Sequence, residues 1–258
     1  MGSDCASGRH FVVIGAQRSG TTYLRTLLDE HPQIAMSEPA SPEPKVFLRD
    51  DVVGHGWYDA TYFSGAADGT RLGEKSTSYL EVPEVIERVR TVLGPATQVI
   101  AQLRDPVARA VSNWQLSTTH GFETRPLEQA LEDNLDGPQE WDPAKTSVSP
   151  FAYLERGLYA RQLAPWRDAF GDRLRVLVLE ELLADPTSGA SGLATTYSWL
   201  GVHPEFRPPS LGRQVNRSRV EAPRLGSVLT ARLRGYFSGS DGELETFLER
   251  PLPWSRQQ

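Results

Sequence analysis

The chain contains a single cysteine, Cys5, and two methionines in 258 residues. One thiol rules out a disulfide framework and leaves no set of cysteines to hold a metal. Lysine is nearly as scarce. Of 27 basic residues only Lys45, Lys75 and Lys145 are lysines, so each is a candidate for a position needing a compact ammonium instead of the planar arginine fork. No apolar run approaches the roughly 20 residues that span a bilayer. The opening MGSDCASGRH also lacks the apolar core of a secretory signal. A net charge of −6 leaves no broad basic face for nucleic acid, so any anionic ligand must be gripped by a local cluster of cations. These absences predict a cytoplasmic protein with no membrane span, made of a flexible tail over 1–9 and a single domain over 10–258. Nothing in the sequence specifies an oligomeric state.

Apolar, β-prone runs alternate with segments of helical period. FVVI (11–14) precedes a helix reaching about Glu30, QVIAQL (98–103) precedes a helix starting near Pro106, and RVLVLE (175–180) precedes a helix through TTYSWLGV. Runs apolar throughout suit strands buried on both faces. The fold class predicted is α/β, three layers with a central parallel sheet, with βα turns and ligands at the C-terminal sheet edge. The proline-rich stretches 37–47, 133–150 and 203–226 read as irregular loops that shape an acceptor pocket. The last segment, 229–254, reads as one or two helices with a break at Ser238–Gly242.

GAQRSGTT (15–22) joins the first strand to the first helix. Gly15 permits a tight turn, Gly20 permits close backbone approach, and the following helix aims free N–H groups at the loop, which makes an anion site. A nucleoside-triphosphate loop would need lysine where Thr21 stands. Arg18 supplies charge from within the loop, and Ser19, Thr21 and Thr22 supply hydroxyls. A second block, RDPVARAVS (104–112), puts Arg104 at a strand end and Ser112 two turns along the next helix, a pair suited to a phosphate. Asp105, Glu180 and Glu181 are carboxylates at strand ends, able to hold a metal or to cap a helix. His55 and His120 are single histidines of the kind that serve as bases or as structural hydrogen-bonding groups. Trp57, Tyr58, Trp114 and Tyr159 are candidates for stacking on a ring or for the core.

GAQRSGTTYLRTLLDEHP resembles the 5′-phosphosulfate loop of sulfotransferases that use 3′-phosphoadenosine 5′-phosphosulfate (PAPS), most of all the heparan-sulfate type and its bacterial relatives. RDPVARAVS resembles the 3′-phosphate motif of the same family. The resemblance covers most of residues 11–202. It implies that Gln17, Arg18, Ser19, Gly20, Thr21 and Thr22 bind the 5′ end of the donor, that Arg104 and Ser112 bind its 3′-phosphate, and that no metal is needed. GEKSTSYL (73–80) resembles the family segment whose lysine faces the donor sulfonate, which carries that role onto Lys75. SPEPKVFL resembles the segment that holds a catalytic glutamate, which makes Glu43 the candidate base, with Glu38, His55 and His120 as alternatives. Arg217, Ser218 and Arg219 occupy the region of a late nucleotide-covering loop, although they depart from its lysine-glycine-arginine pattern. The implied reaction moves a sulfonate onto a hydroxyl of a small molecule or glycan and releases 3′-phosphoadenosine 5′-phosphate (PAP). Two other readings stay open: a P-loop-type small-molecule kinase, and a non-catalytic nucleotide-binding protein of the same fold.

Overall fold

The computed structural model describes residues 8–51, 54–142, 146, 148–184, 186–213 and 223–255. Among these residues five strands form one parallel sheet: β1 (His10–Gly15), β2 (Ile34–Met36), β3 (Arg71–Lys75), β4 (Gln98–Leu103) and β5 (Leu174–Val178), in the spatial order β2-β3-β1-β4-β5. The helices are α1 (Thr21–Asp29), α2 (His55–Tyr62), α3 (Glu84–Leu93), α4 (Pro106–Thr119), α5 (Leu127–Asp133), α6 (Tyr159–Phe170), α7 (Leu179–Leu183), α8 (Pro186–Leu200) and α9 (Ser227–Leu248). None is both long and apolar enough to cross a membrane. The predicted α/β class with a central parallel sheet is what the chain adopts.

Contacts group the described residues into two compact units. One comprises those of Met1–Ala16, Gly20–Leu103 and Ala164–Asn216, and the other those of Gln17–Ser19, Arg104–Leu163 and Arg217–Gln258. The first unit holds the whole sheet. Its middle strands are apolar throughout because both faces are covered: Phe11, Val13 and Ile100 pack with Leu24, Leu27, Leu193 and Tyr197, while Val12 and Ile14, which point the other way, are equally buried. The second unit has its own core, in which Val107, Ala110, Leu131, Tyr153, Leu233 and Phe237 meet.

Two elements differ from the sequence reading. The RVLVLE strand ends at Val178, and Glu180 and Glu181 lie in the first turn of α7. This strand is only half-buried along most of its length because it closes one edge of the sheet. The expected break at Ser238–Gly242 does not occur: α9 runs unbroken for 22 residues. Leu233, Phe237 and Leu244 bury one stripe along it and Asp241 accepts from the Trp254 indole, so packing overrides the helix-weakening glycines. β2 and β3 were not legible as strands, since they are short and β3 ends in Glu74 and Lys75.

Candidate active site

β1 ends at Gly15, where a Cβ would lie 2.8 Å from Leu80 Cβ and 3.1 Å from the Thr77 carbonyl oxygen. At the far end of the loop, Gly20 has φ of 76°, and a Cβ there would meet Leu179 at 2.7 Å and the Gln102 amide nitrogen at 3.0 Å. Both ends of the loop are therefore closed to side chains. Gly20 also caps α1 without a side-chain cap bond, so the first-turn N–H groups at Thr21 and Thr22 keep their anion-binding capacity. Thr21 and Ser19 are buried, Thr22 is exposed and Gln17 is half-buried. Arg18 takes a left-handed backbone at φ 65°, which is strained for a side-chain-bearing residue.

In the unit that contains Arg18, that guanidinium donates to Ser112 Oγ from Nε at 3.1 Å and from Nη2 at 3.0 Å. Arg104 Nη1 lies 3.4 Å from the Arg18 carbonyl oxygen, and the Arg104 carbonyl accepts from the Tyr159 hydroxyl at 2.8 Å. Burial, and then the charge of Arg104, pushes the Arg18 guanidinium below its ordinary range. Asp105 does not neutralise this pair. Its carboxylate caps α4 through the Val107 N–H and takes both Arg234 nitrogens at 2.7 Å. Among the described residues neither Arg18 nor Arg104 is ion-paired, so two guanidiniums and a serine hydroxyl converge with uncompensated positive charge. An oxyanion is the natural complement.

In the sheet-bearing unit, β3 delivers a second cluster. Alternation along the strand sends Glu74 and Lys75 to opposite faces. Lys75, 8% exposed, pairs with Glu43 at 2.7 Å. Glu43 also accepts from the Thr77 N–H at 3.1 Å and from the Thr77 hydroxyl at 3.0 and 3.1 Å. Lys75 is thus buried against Glu43 and not paired with its chain neighbour Glu74. Glu74 is buried on the other side, where its carboxylate accepts from Tyr58 (2.5 Å), Ser76 (2.5 Å) and Tyr79 (2.6 Å). Burial pushes the Glu74 carboxyl up, opposed by those three donors, and pushes both tyrosine hydroxyls well up. The network extends to the glutamate loop: Ser76 Oγ accepts from the Lys45 N–H at 2.9 Å and the Tyr79 hydroxyl oxygen from the Phe47 N–H at 3.2 Å. The backbone that follows Glu43 is thereby anchored to the end of β3. Sequence reasoning gave no role to Ser76, Thr77 and Tyr79, although the hydroxyl-rich KSTSY after a strand was their signal, and it read Tyr58 only as a stacking or core candidate.

The alternative bases stand elsewhere. Glu38 is largely exposed and bound to Arg25 at 2.8 Å. His120 is exposed at the end of α4, with its Nδ1 against the Leu116 carbonyl at 2.8 Å. His55 begins α2 with its ring against that of His10. Of the candidate stacking aromatics, Tyr58 and Tyr159 are core and the Trp114 indole donates to the Arg125 carbonyl, whereas Trp57 is 46% exposed. Arg217, Ser218 and Arg219 lie outside the described residues.

The model of the sulfotransferase family matches residues 10–55, which include the loop, Glu38 and Glu43. Over nearly its whole length the chain superposes on a sulfotransferase of Alicyclobacillus acidocaldarius, with a TM-score of 0.75 at 25% identity, covering 95% of this chain and 98% of that one. The chain belongs to the sulfotransferases. Among curated relatives, the chain is 30% identical over 193 residues to the heparan sulfate glucosamine 3-O-sulfotransferase 3A1 of Mus musculus, covering 74% of the chain and 45% of the relative. It is 26% identical over 284 residues to the bifunctional heparan sulfate N-deacetylase/N-sulfotransferase 4 of the same species, covering 96% of the chain and 31% of the relative. The chain therefore spans less than half the length of these curated relatives.

Proposed function

We propose that the protein transfers a sulfonate group from PAPS to a hydroxyl of a carbohydrate or small molecule. The observation that carries this reading is the convergence of Arg18, Arg104 and Ser112 without a carboxylate partner among the described residues, on two motifs that occur in the family's order. The residues fit the donor: the loop excludes any Cβ at Gly15 and Gly20, so backbone amides can approach a phosphosulfate closely. Bound there, the donor supplies an electrophilic sulfur and a bisphosphate leaving group.

The loop amides and Arg18 hold the 5′ end, and Arg104 with Ser112 holds the 3′-phosphate. Glu43, kept in place by Thr77 and Lys75, takes the proton from the acceptor hydroxyl. As the acceptor oxygen bonds to sulfur, the sulfur–oxygen bond to the 5′-phosphate breaks and its electron pair stays on the phosphate oxygen. Lys75 and Arg18 stabilise the charge developing there. Arg18 contributes field alone, since a guanidinium remains protonated. The curated relatives carry heparan sulfate in their names, which supports a glycan acceptor. A net charge of −6 favours a short or neutral one over a long polyanion. Mass spectrometry of the protein incubated with PAPS and a panel of oligosaccharides and hydroxylated metabolites tests this. A gain of one sulfonate in an acceptor with release of PAP is expected, and PAP binding without transfer to any acceptor removes the catalytic reading.

A further inference from the structure

At the opposite end of β1 from the phosphate loop, three metal-competent side chains meet without a role in the chemistry above. His10 opens the strand. His55 and Asp59 stand four residues apart on α2, so one helix face presents both toward it. His10 Nε2 lies 2.8 Å from Asp59 Oδ1, and one ligand atom from each of the three residues falls within 4.8 Å of the others, the single such cluster of three among the described residues. The His10 and His55 rings meet edge to face with centroids 4.9 Å apart. His10 is 3% exposed and Asp59 29%, so the group is open to solvent from one side only.

We propose that His10, His55 and Asp59 form a binding site for a divalent transition-metal ion of the zinc class. Two imidazoles and one carboxylate are a borderline-soft donor set that suits zinc, whereas magnesium and calcium favour oxygen ligands throughout. The His10–Asp59 hydrogen bond alone does not account for His55, which has no hydrogen-bond partner among the described residues although it faces the pair. An ion seated between Nε2 and Oδ1 replaces the proton they share. With ligand bonds of about 2.0–2.1 Å in tetrahedral geometry, that separation has only to open by roughly 0.5 Å. The nearby positive charge of Arg9 is tied to the Thr70 and Ala67 carbonyls. Three protein ligands leave a fourth position for water on the exposed side, and the ion ties the start of β1 to α2. Gly15 is five residues along the strand, about 16 Å away at the usual rise, so this site is separate from the donor loop.

The test is titration of tag-free, chelator-treated full-length protein with Co²⁺ and then Zn²⁺. One Co²⁺ per chain with the visible spectrum of a low-coordinate site, displaced by Zn²⁺, is expected. His55→Ala and Asp59→Asn should each weaken binding at least about tenfold, and Cys5→Ser should leave it unchanged. Imidazole NMR signals of His10 and His55 should shift together on Zn²⁺ addition to the wild type, a readout that does not depend on how the variants fold. Absence of saturable Co²⁺ binding by the wild type overturns the proposal. So does binding that survives both variants, or that disappears with Cys5.

Discussion

Glu43 and Lys75 form an ion pair at 2.7 Å, and both are mostly withdrawn from water. Such a pair is costly to break on one side only, because the survivor is left buried and uncompensated. Glu43→Gln keeps one acceptor oxygen for Thr77, turns the other into a donor amide and removes the charge. It should lower kcat/KM by about 10²–10⁴ if Glu43 is the base, and destabilise the fold by about 3 kcal/mol through stranded Lys75. Steady-state kinetics well below the melting temperature, with PAP affinity measured alongside, separates the two effects; turnover close to wild type would remove Glu43 from the mechanism. Ser112 makes a different prediction. Its hydroxyl receives Arg18 in the free protein and, on the proposed reading, a phosphate in the complex. Ser112→Ala should weaken PAP binding about tenfold by calorimetry, the loss of one hydrogen bond to a charged group, with little change in acceptor KM.

At the scale of elements, the phosphate loop depends on what packs around its ends. Gly20→Ala places a Cβ against Leu179 and Gln102 in a left-handed backbone, and should cost about 1–3 kcal/mol in denaturant unfolding while reducing PAP affinity. α9 carries a titrating group of its own. Burial pushes the Asp241 carboxyl up to about 6, opposed by the Trp254 indole and Arg234 and reinforced by Asp105 and Glu245. The folded-state pKa exceeds the unfolded value, so this contribution to stability is complete below about pH 4 and is lost as pH rises through about 6. Asp241→Asn should flatten the stability–pH curve across that interval, and an unchanged slope would show that Asp241 titrates normally. The unbroken α9 also marks where local reading failed. Ser238, Gly239 and Gly242 are poor helix formers, and only the side chains packed along the other stripe keep that turn helical. β1 and β4 were legible because strands covered on both faces must be apolar throughout. β3 was not, since its last two residues are a glutamate and a lysine satisfied by partners 32 residues away in one case and by tyrosines in the other.

For the whole molecule, the sharpest expectation is thermodynamic linkage. A ligand that binds only the folded chain stabilises it by about 2.7 kcal/mol at a hundred times its Kd. PAP should raise the melting temperature in the presence of EDTA, whereas ATP with Mg²⁺ should not, given Thr21 in place of the triphosphate-binding lysine. The reverse result would favour a kinase. Acidic overall charge makes this outcome informative, because the local arginines must hold the ligand against a net charge of −6.

By itself the sequence determined the parallel α/β class, the glycine-flanked loop at the end of β1, and Arg104 just before and Ser112 within a proline-started helix. Those features are local: periodicity, glycine conformations and helix ends act over a few residues. Only the tertiary structure decided that Lys75 is buried on Glu43, that Thr77 fixes this glutamate, that Glu74 belongs to a tyrosine network, and that His55 joins His10 and Asp59 instead of the donor loop. Each of these joins residues distant in sequence or on opposite faces of a strand. Burial and charge pairing between them depend on how the chain returns on itself, which local pattern does not encode.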